Sequence, residues 1–462
     1  MKIQISAALL RQYAIVLSVN LNVLATGVSL GWPSPMLVKL QDPEKTPLSR
    51  PLTDAEGSWV VSLGFLLAAG SNFASGYIID IIGRKFCIVA VSIPKLLSAI
   101  LLIFATELWM VLLGRSVMLM SDMLVFLIVP IYAAEIASKN QRGALGTLLQ
   151  LFSSIGILIS LAIGPIVSYH ELSYILLGLI ILAMLPGIFI PESPYYLHFD
   201  GKTDDSLKIL SLLRGSETQA KQEVADYDLT IDKNFDKIAC LKDKIFVKAL
   251  LIALVLYGGT QLVGYNAVSF YLQTILISTN TNVVPGVASA IIGAIQVVSS
   301  LFVTLIISSF GRKTILLVSL AGMCVGMFGL GGFFQTSSLD GQITGFMNYL
   351  PIVSLLLVVI CYCAGIGSVV WPATTELFEG QARAFGVSIG LTFTQLIMFL
   401  TTKYFSTMTN AFGPASTYWF FGTNCVIIAV VIAIFLPETK GKTFAEIQKA
   451  LGKKDTKQNI TA

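Results

Sequence analysis

Twelve apolar runs, each about as long as a bilayer is thick, set the first constraint on this chain. They fall at roughly 13–35, 57–79, 86–106, 109–132, 143–168, 172–191, 245–276, 285–308, 313–335, 345–372, 382–409 and 416–436. Crossing the hydrocarbon as a helix takes about 20 apolar residues. In lipid every backbone polar group needs an internal partner, so these runs must be helices. A barrel would show alternating segments of about ten residues, and these runs are continuous. Hydrophobic residues make up 55% of the chain, charged residues 12%, and the mean hydropathy is +0.80. A soluble globular domain, a disordered chain and a nucleic-acid binder are excluded on that ground. The first run lacks a small-residue cleavage site behind it and is expected to be a retained helix.

One long polar segment interrupts the runs, from Glu192 to Lys244, and divides them six and six. It holds 11 acidic and 8 basic residues, and its Leu207, Leu210 and Leu213 spacing predicts short amphipathic helices packed on a membrane face. With both ends of the chain placed inside, 24 of the 30 Lys and Arg residues fall on the inner loops and tails. The positive-inside rule therefore predicts a multi-pass protein with cytoplasmic termini, and the plasma membrane is the expected location because Asn459-Ile460-Thr461-Ala462 is no clear retrieval signal. The expected divisions are a first half at 1–191, a linker at 192–244, a second half at 245–436 and a tail at 437–462.

The halves repeat each other. Gly83-Arg84-Lys85 follows the second helix and Gly311-Arg312-Lys313 the eighth. Glu135 with Arg142 follows the fourth, and Glu376 with Arg383 the tenth. Pro191-Glu192-Ser193 follows the sixth, and Pro437-Glu438-Thr439 the twelfth. Two parallel six-helix units of this kind are a transporter architecture, with a substrate site between them near the midplane.

Taken together, Gly76-Tyr77-x-x-Asp80-x-x-Gly83-Arg84-Lys85, Pro130-x-Tyr132-x-x-Glu135, Arg142-Gly143, Pro191-Glu192-Ser193-Pro194, Gln261-x-x-Gly264-x-Asn266 and Pro437-Glu438-Thr439 resemble the sugar porter branch of the major facilitator superfamily. Gly31-Trp32-Pro33-Ser34-Pro35 and Leu52-Thr53-x-x-Glu56-x-Ser58-Trp59 are similar to the insect facilitated trehalose and glucose transporters. The resemblance implies an all-α membrane protein with two pseudo-symmetric six-helix bundles and a cytoplasmic helical linker. It implies a transporter, with no catalytic residues, cofactor or metal site, whose partners are a small sugar and the lipid bilayer.

A sugar is uncharged and rich in hydroxyls, so its site calls for amides, hydroxyls and an aromatic face. The resemblance places Gln150 on helix 5, Gln261 and Asn266 on helix 7, Gln296 on helix 8 and Trp371 on helix 10 at that site. Thr394 stands where Asn is common, and Thr260 where a second Gln is common. Gly258, Gly259 and Gly264 are expected to let helix 7 break near the substrate, and Gly365 and Gly367 to let helix 10 bend. The motif charges Asp80, Arg84, Glu135, Arg142 and Glu192, with Arg312, Glu376, Arg383 and Glu438, read as a cytoplasmic gate whose pairs close across the halves. Ser308 replaces an expected acid of the second half, and Tyr195 an expected Arg.

Proton-coupled relatives place an Asp in helix 1 just before a Thr-Gly pair, and this chain has Ala25-Thr26-Gly27. That favours facilitative transport of a hexose or of trehalose by alternating access. A proton-coupled symporter and a non-transporting sugar sensor stay open as alternatives. Charges inside a membrane are functional suspects, and three lie in these runs. Asp122 is a buried-carboxylate candidate that Arg115 is near enough to pair with along one helix, a pairing the sequence leaves open, whereas Lys95 and Lys403 are expected to snorkel.

Overall fold

The computed structural model describes residues 7–138, 141–228, 240–280, 282–340, 345–378, 380–440, 442 and 444–451. Among them there is no strand. The first six long helices are α1 (Ala7–Gly31), α2 (Asp54–Ile82), α3 (Arg84–Ile103), α4 (Leu108–Ile136), α5 (Arg142–Ile163) and α6 (Tyr169–Phe189). The last six begin with α7 (Lys244–Leu262, resumed at Tyr265–Phe270), α8 (Pro285–Ser309) and α9 (Arg312–Asp340). They continue with α10 (Leu350–Ala364, resumed at Ile366–Thr375), α11 (380–412) and α12 (413–435). Gly413, at φ +82°, and Pro414 separate the last two. Ten stretches of the described chain are long and apolar enough to cross a membrane; one contains both α11 and α12, and α2 adds 29 more residues. Among the described residues the protein is thus an all-α membrane protein whose long helices fall where the twelve apolar runs predict them.

The linker is helical, as expected, at Pro194–Phe199, Thr203–Arg214 and Glu217–Asp228. Leu210 and Leu213 are buried. The segment docks on the first half: Gln12 Nε2 donates to Leu213 O at 2.7 Å, and Arg214 Nη1 to Ile136 O at 2.8 Å. Arg214 also pairs with Glu223. The short helix Phe444–Leu451 belongs to the other half, where Lys248 Nζ donates to Leu451 O at 2.9 Å.

The halves meet at mid-depth and on the side away from the linker. At mid-depth Ser154 Oγ and Ser300 Oγ join α5 to α8 at 2.8 Å. Deeper toward the far side, Ser289 Oγ donates to Leu161 O at 3.3 Å, and Gln273 N to Ser34 Oγ at 3.0 Å. Phe65 of α2 stacks on Phe270 of α7, with ring centroids 5.8 Å apart. At the far end Lys403 and Asn410 of α11 reach Ser58 and Asp54 of α2. Among the described residues these contacts join the two halves at mid-depth and on the far side.

Leu119 and Met123 are large, buried residues of α4. The room comes from the facing helix: a Cβ on Gly64 of α2 would lie 2.4 Å from Leu119 Cβ.

Candidate functional site

On the linker side each repeated motif pair folds into one object. Glu192 Oε1 accepts from the backbone N–H of Arg84 and of Lys85, both at 3.0 Å, and so caps the start of α3. Glu438 accepts from the N–H of Arg312 at 2.8 Å and of Lys313 at 3.2 Å, and caps α9 in the same way. A carboxylate at a helix N-terminus meets unsatisfied donors and the positive end of the macrodipole. Burial opposes the Glu438 charge, but N–H groups of Lys440, Arg312, Lys313 and Thr439 outweigh it and hold its pKa below the ordinary carboxylate range. The motif glycines make room: a Cβ on Gly83 (φ +96°) would lie 2.6 Å from Glu192 Oε2, and one on Gly311 2.2 Å from Glu438 Oε2. Glu192 and Glu438 thus cap the helices that carry Arg84 and Arg312.

Arg84 carries the first cluster. Its Nε lies 3.1 Å from Glu135 Oε2 and its Nη2 3.0 Å from Asp80 Oδ1. Glu135 also accepts from Ser193 Oγ at 2.5 Å. The Tyr195 and Tyr196 rings lie under the guanidinium at 5.8 and 5.5 Å, so the aromatic that replaces the expected Arg contributes a cation–π face. Arg142 Nε donates to Ala134 O at 3.1 Å. In the second half Arg312 Nη2 reaches Glu376 Oε1 at a longer 3.4 Å. The side chains of Arg383 and Ser308 lie outside the described residues. The pairs described here lie within each half.

The central amides sit where α7 breaks. Gly264 holds φ +82° and starts the Tyr265–Phe270 segment. Across the break Asn266 Nδ2 donates to Gln261 Oε1 at 2.7 Å, and Gln261 Nε2 to Thr260 Oγ1 at 3.0 Å. Thr260 Oγ1 in turn donates to Tyr257 O at 2.7 Å, so it props Gln261 and spends its own proton on the backbone. Asn266 also approaches the Tyr362 hydroxyl of α10 at 3.5 Å, and the Tyr265 and Tyr362 rings stack at 3.7 Å. Gln296 is buried and lines a cleft with Tyr265, Ser269, Leu161 and Val358. Gln150, on α5, donates to Ser154 Oγ at 3.4 Å and so joins the serine bridge to α8.

The two remaining positions are placed differently. Trp371 is 42% exposed, and its Nε1 donates to Gly367 O of its own helix at 2.9 Å. Its ring lies 5.7 Å from that of Tyr257, whose hydroxyl accepts from Thr374 at 2.9 Å. Helix 10 breaks at Gly365, just before this segment. Thr394 is buried and donates to Gly390 O at 2.9 Å, within its own helix. Sequence reasoning missed Tyr362 and the Ser154–Ser300 bridge; a tyrosine and lone serines inside apolar runs were the available signal.

The intramembrane charges correct two expectations. Lys95 does not snorkel: it is 1% exposed, and its Nζ lies 2.8 Å from Asp122 Oδ1 and 2.7 Å from Thr26 Oγ1. Asp122 therefore pairs with Lys95, and Arg115 reaches it only through Ser29. The Ser29 hydroxyl donates to Asp122 Oδ2 at 2.6 Å, and Arg115 Nη1 donates to the Ser29 hydroxyl at 3.1 Å and to its carbonyl at 3.2 Å. The Arg115 guanidinium lies 4.7 Å from the Trp32 ring centroid. The network ties α1, α3 and α4 together. Lys403 does not snorkel alone either, since its Nζ lies 2.7 Å from Ser58 Oγ of the other half.

Comparison with known proteins places this geometry. A family model described as "Sugar (and other) transporter" matches residues 13–451. The facilitated trehalose transporter Tret1 of Aedes aegypti is 31% identical over 94% of this chain, which spans 54% of that protein's length. The facilitated trehalose transporter Tret1 of Polypedilum vanderplanki is 30% identical over 94% of this chain and 87% of its own. Among solved structures, the major facilitator proton:xylose symporter XylE bound to 6-bromo-6-deoxy-D-glucose superposes with a TM-score of 0.77, covering 95% of this chain and 98% of its own at 21% identity. The xylose transporter XylE of E. coli in a partially occluded inward-open conformation gives the same TM-score over 94% of this chain and 99% of its own. At that identity the structural likeness is one of fold.

Proposed function

The chain belongs to the sugar transporter family, and we propose that it carries a neutral sugar across the plasma membrane by alternating access, down the sugar's own gradient. Trehalose is the substrate named for its relatives, and the motif resemblance adds glucose. One observation supports the reading most. Gln261 and Asn266, on a helix broken at Gly264, converge beside Tyr362 and the Gln296 cleft, while Gln150 approaches through the serine bridge from the other half. Amides, hydroxyls and an aromatic pair between two helical halves suit a hydroxyl-rich, uncharged ligand. No charge lies among these named groups, as an uncharged ligand requires.

Residues 1–191 and 245–436 act as the two rocking units, with 192–244 riding on the first and 437–462 following the second. The linker side faces the cytoplasm, where most Lys and Arg residues fall. Asp80, Arg84, Glu135 and Arg142 with Arg312, Glu376 and Arg383 form the gate of that side, and Glu192 and Glu438 fix the helix ends that carry it. The Asp122 carboxylate is held by Lys95 and Ser29, which favours uniport over proton symport.

Uptake of radiolabelled D-glucose and trehalose into proteoliposomes, with and without an inward proton gradient, tests the reading. Saturable uptake that ignores the gradient is expected. Accumulation above equilibrium only with the gradient would replace uniport by symport, and binding without uptake would favour a sensor. Replacing Gln261 with Leu deprives Asn266 of its acceptor and Thr260 of its donor. An unmet buried hydrogen bond costs about 1–3 kcal/mol, so the KM of the transported sugar is expected to rise about tenfold, with the amount of carrier kept. An unchanged KM would remove Gln261 from the site.

A further inference from the structure

On the far side one ammonium spans the two halves. Lys403 lies near the far end of α11, and each contact of its Nζ is to α2. The nitrogen is 2.7 Å from Ser58 Oγ, 3.4 Å from Ala55 O and 4.0 Å from the centroid of the Trp59 ring. Among the described residues no carboxylate pairs with it. Of the two acids in the first turn of α2, Asp54 is engaged by Gln41 and Asn410, and Glu56 by Arg50. Trp59 also packs on Phe399, one helical turn before Lys403, at 6.1 Å. A cation is thus held across the interface by an aromatic face and neutral oxygens alone.

We propose that Lys403 is the positioning residue of the far-side gate: its ammonium, seated on Trp59 and Ser58, latches the carrier shut on that face and sets how often it reopens there. The chemistry suits a latch that must release in every cycle. When α2 and α11 part, the ammonium passes into the water of the opening vestibule, and no carboxylate is left buried without its counter-charge. A desolvated ion pair in its place would strand one on each opening. Cation–π contacts at half-exposed sites are modest, so the bias is reversible. The proposal rests on the alternating-access reading, and its test needs no sugar.

Spin labels on cysteines at Glu44 and Phe412, both exposed on the far side, report the opening as a distance in lipid nanodiscs, in a chain whose six native cysteines are replaced by alanine. Lys403→Met keeps the stem and removes the charge, and it is expected to raise the share of the longer distance about fivefold. Lys403→Arg keeps a cation over the ring and is expected to stay within about twofold of the parent. Trp59→Leu attacks the latch from the other half, and the double variant is expected to go no further than the larger single. An unchanged distribution in Lys403→Met, an equal rise in Lys403→Arg, or full addition in the double variant would each overturn the latch. A failure of sugar uptake with these distances intact would overturn the transport reading alone.

Discussion

Replacing Asp122 with alanine is expected to remove most of the folded carrier from the membrane. In the parent the α1–α3–α4 network holds Lys95, Arg115 and Asp122, all at most 1% exposed. Two cations and one anion leave one net positive charge. Alanine leaves two and gives Lys95 no carboxylate. Breaking a buried pair from one side costs about 3–5 kcal/mol, a large share of the stability of an ordinary domain. Lys95→Met should cost less, because Asp122 keeps the Ser29 hydroxyl and the field of Arg115, and the network becomes neutral. The double variant Lys95→Met, Asp122→Leu restores the parent's net charge with apolar volume and is expected to recover most of the loss. Yield of monodisperse carrier in detergent, with its melting temperature, ranks the variants. An Asp122→Ala carrier that melts with the parent would show that the pair carries no stability.

That network also marks the boundary of what the sequence could say. Asp122, Lys95 and Arg115 stand out as charges inside apolar runs, so their importance was legible. Their pairing was not, because it depends on how deeply α3 and α4 sit against each other. The two helices cross closely at Gly114, where a Cβ would lie 3.0 Å from Leu102 Cγ and 3.4 Å from Ser98 O, a contact that the charges alone do not reveal. The helices themselves were legible, since lipid allows nothing else for runs of that length. The motif carboxylates fall between these cases. The repeat of Glu192 and Glu438 was visible, and so was that of the two Gly-Arg-Lys turns. That each glutamate caps the helix begun by the matching turn needed coordinates, because the partners are separated by more than 100 residues. Local spacing predicted the breaks at Gly264 and Gly365, where a glycine's own backbone freedom decides the outcome. It could not predict the contacts that join the halves on the far side, which pair residues more than 300 positions apart.

Substituting valine for Gly264 is expected to cut sugar uptake per folded carrier at least tenfold. The position has φ +82°, which a β-branched residue holds only at a cost of about 1–3 kcal/mol, and its Cβ would lie 2.4 Å from Phe421 Cγ of α12. The larger consequence is geometric. Gln261 and Asn266 are five positions apart, and on an unbroken helix five positions turn the side chains roughly 140° away from each other. Only the break at Gly264 lets Asn266 Nδ2 come within 2.7 Å of Gln261 Oε1 and face Tyr362. Valine drives the backbone toward a continuous helix, which separates the amides and removes the site without touching either. Phe421→Ala in the same chain opens the space but leaves the backbone conflict, so it should not restore uptake. If Gly264→Val, Phe421→Ala transports like the parent, the strain lies in packing, and the left-handed residue at Gly264 is not what assembles the sugar site.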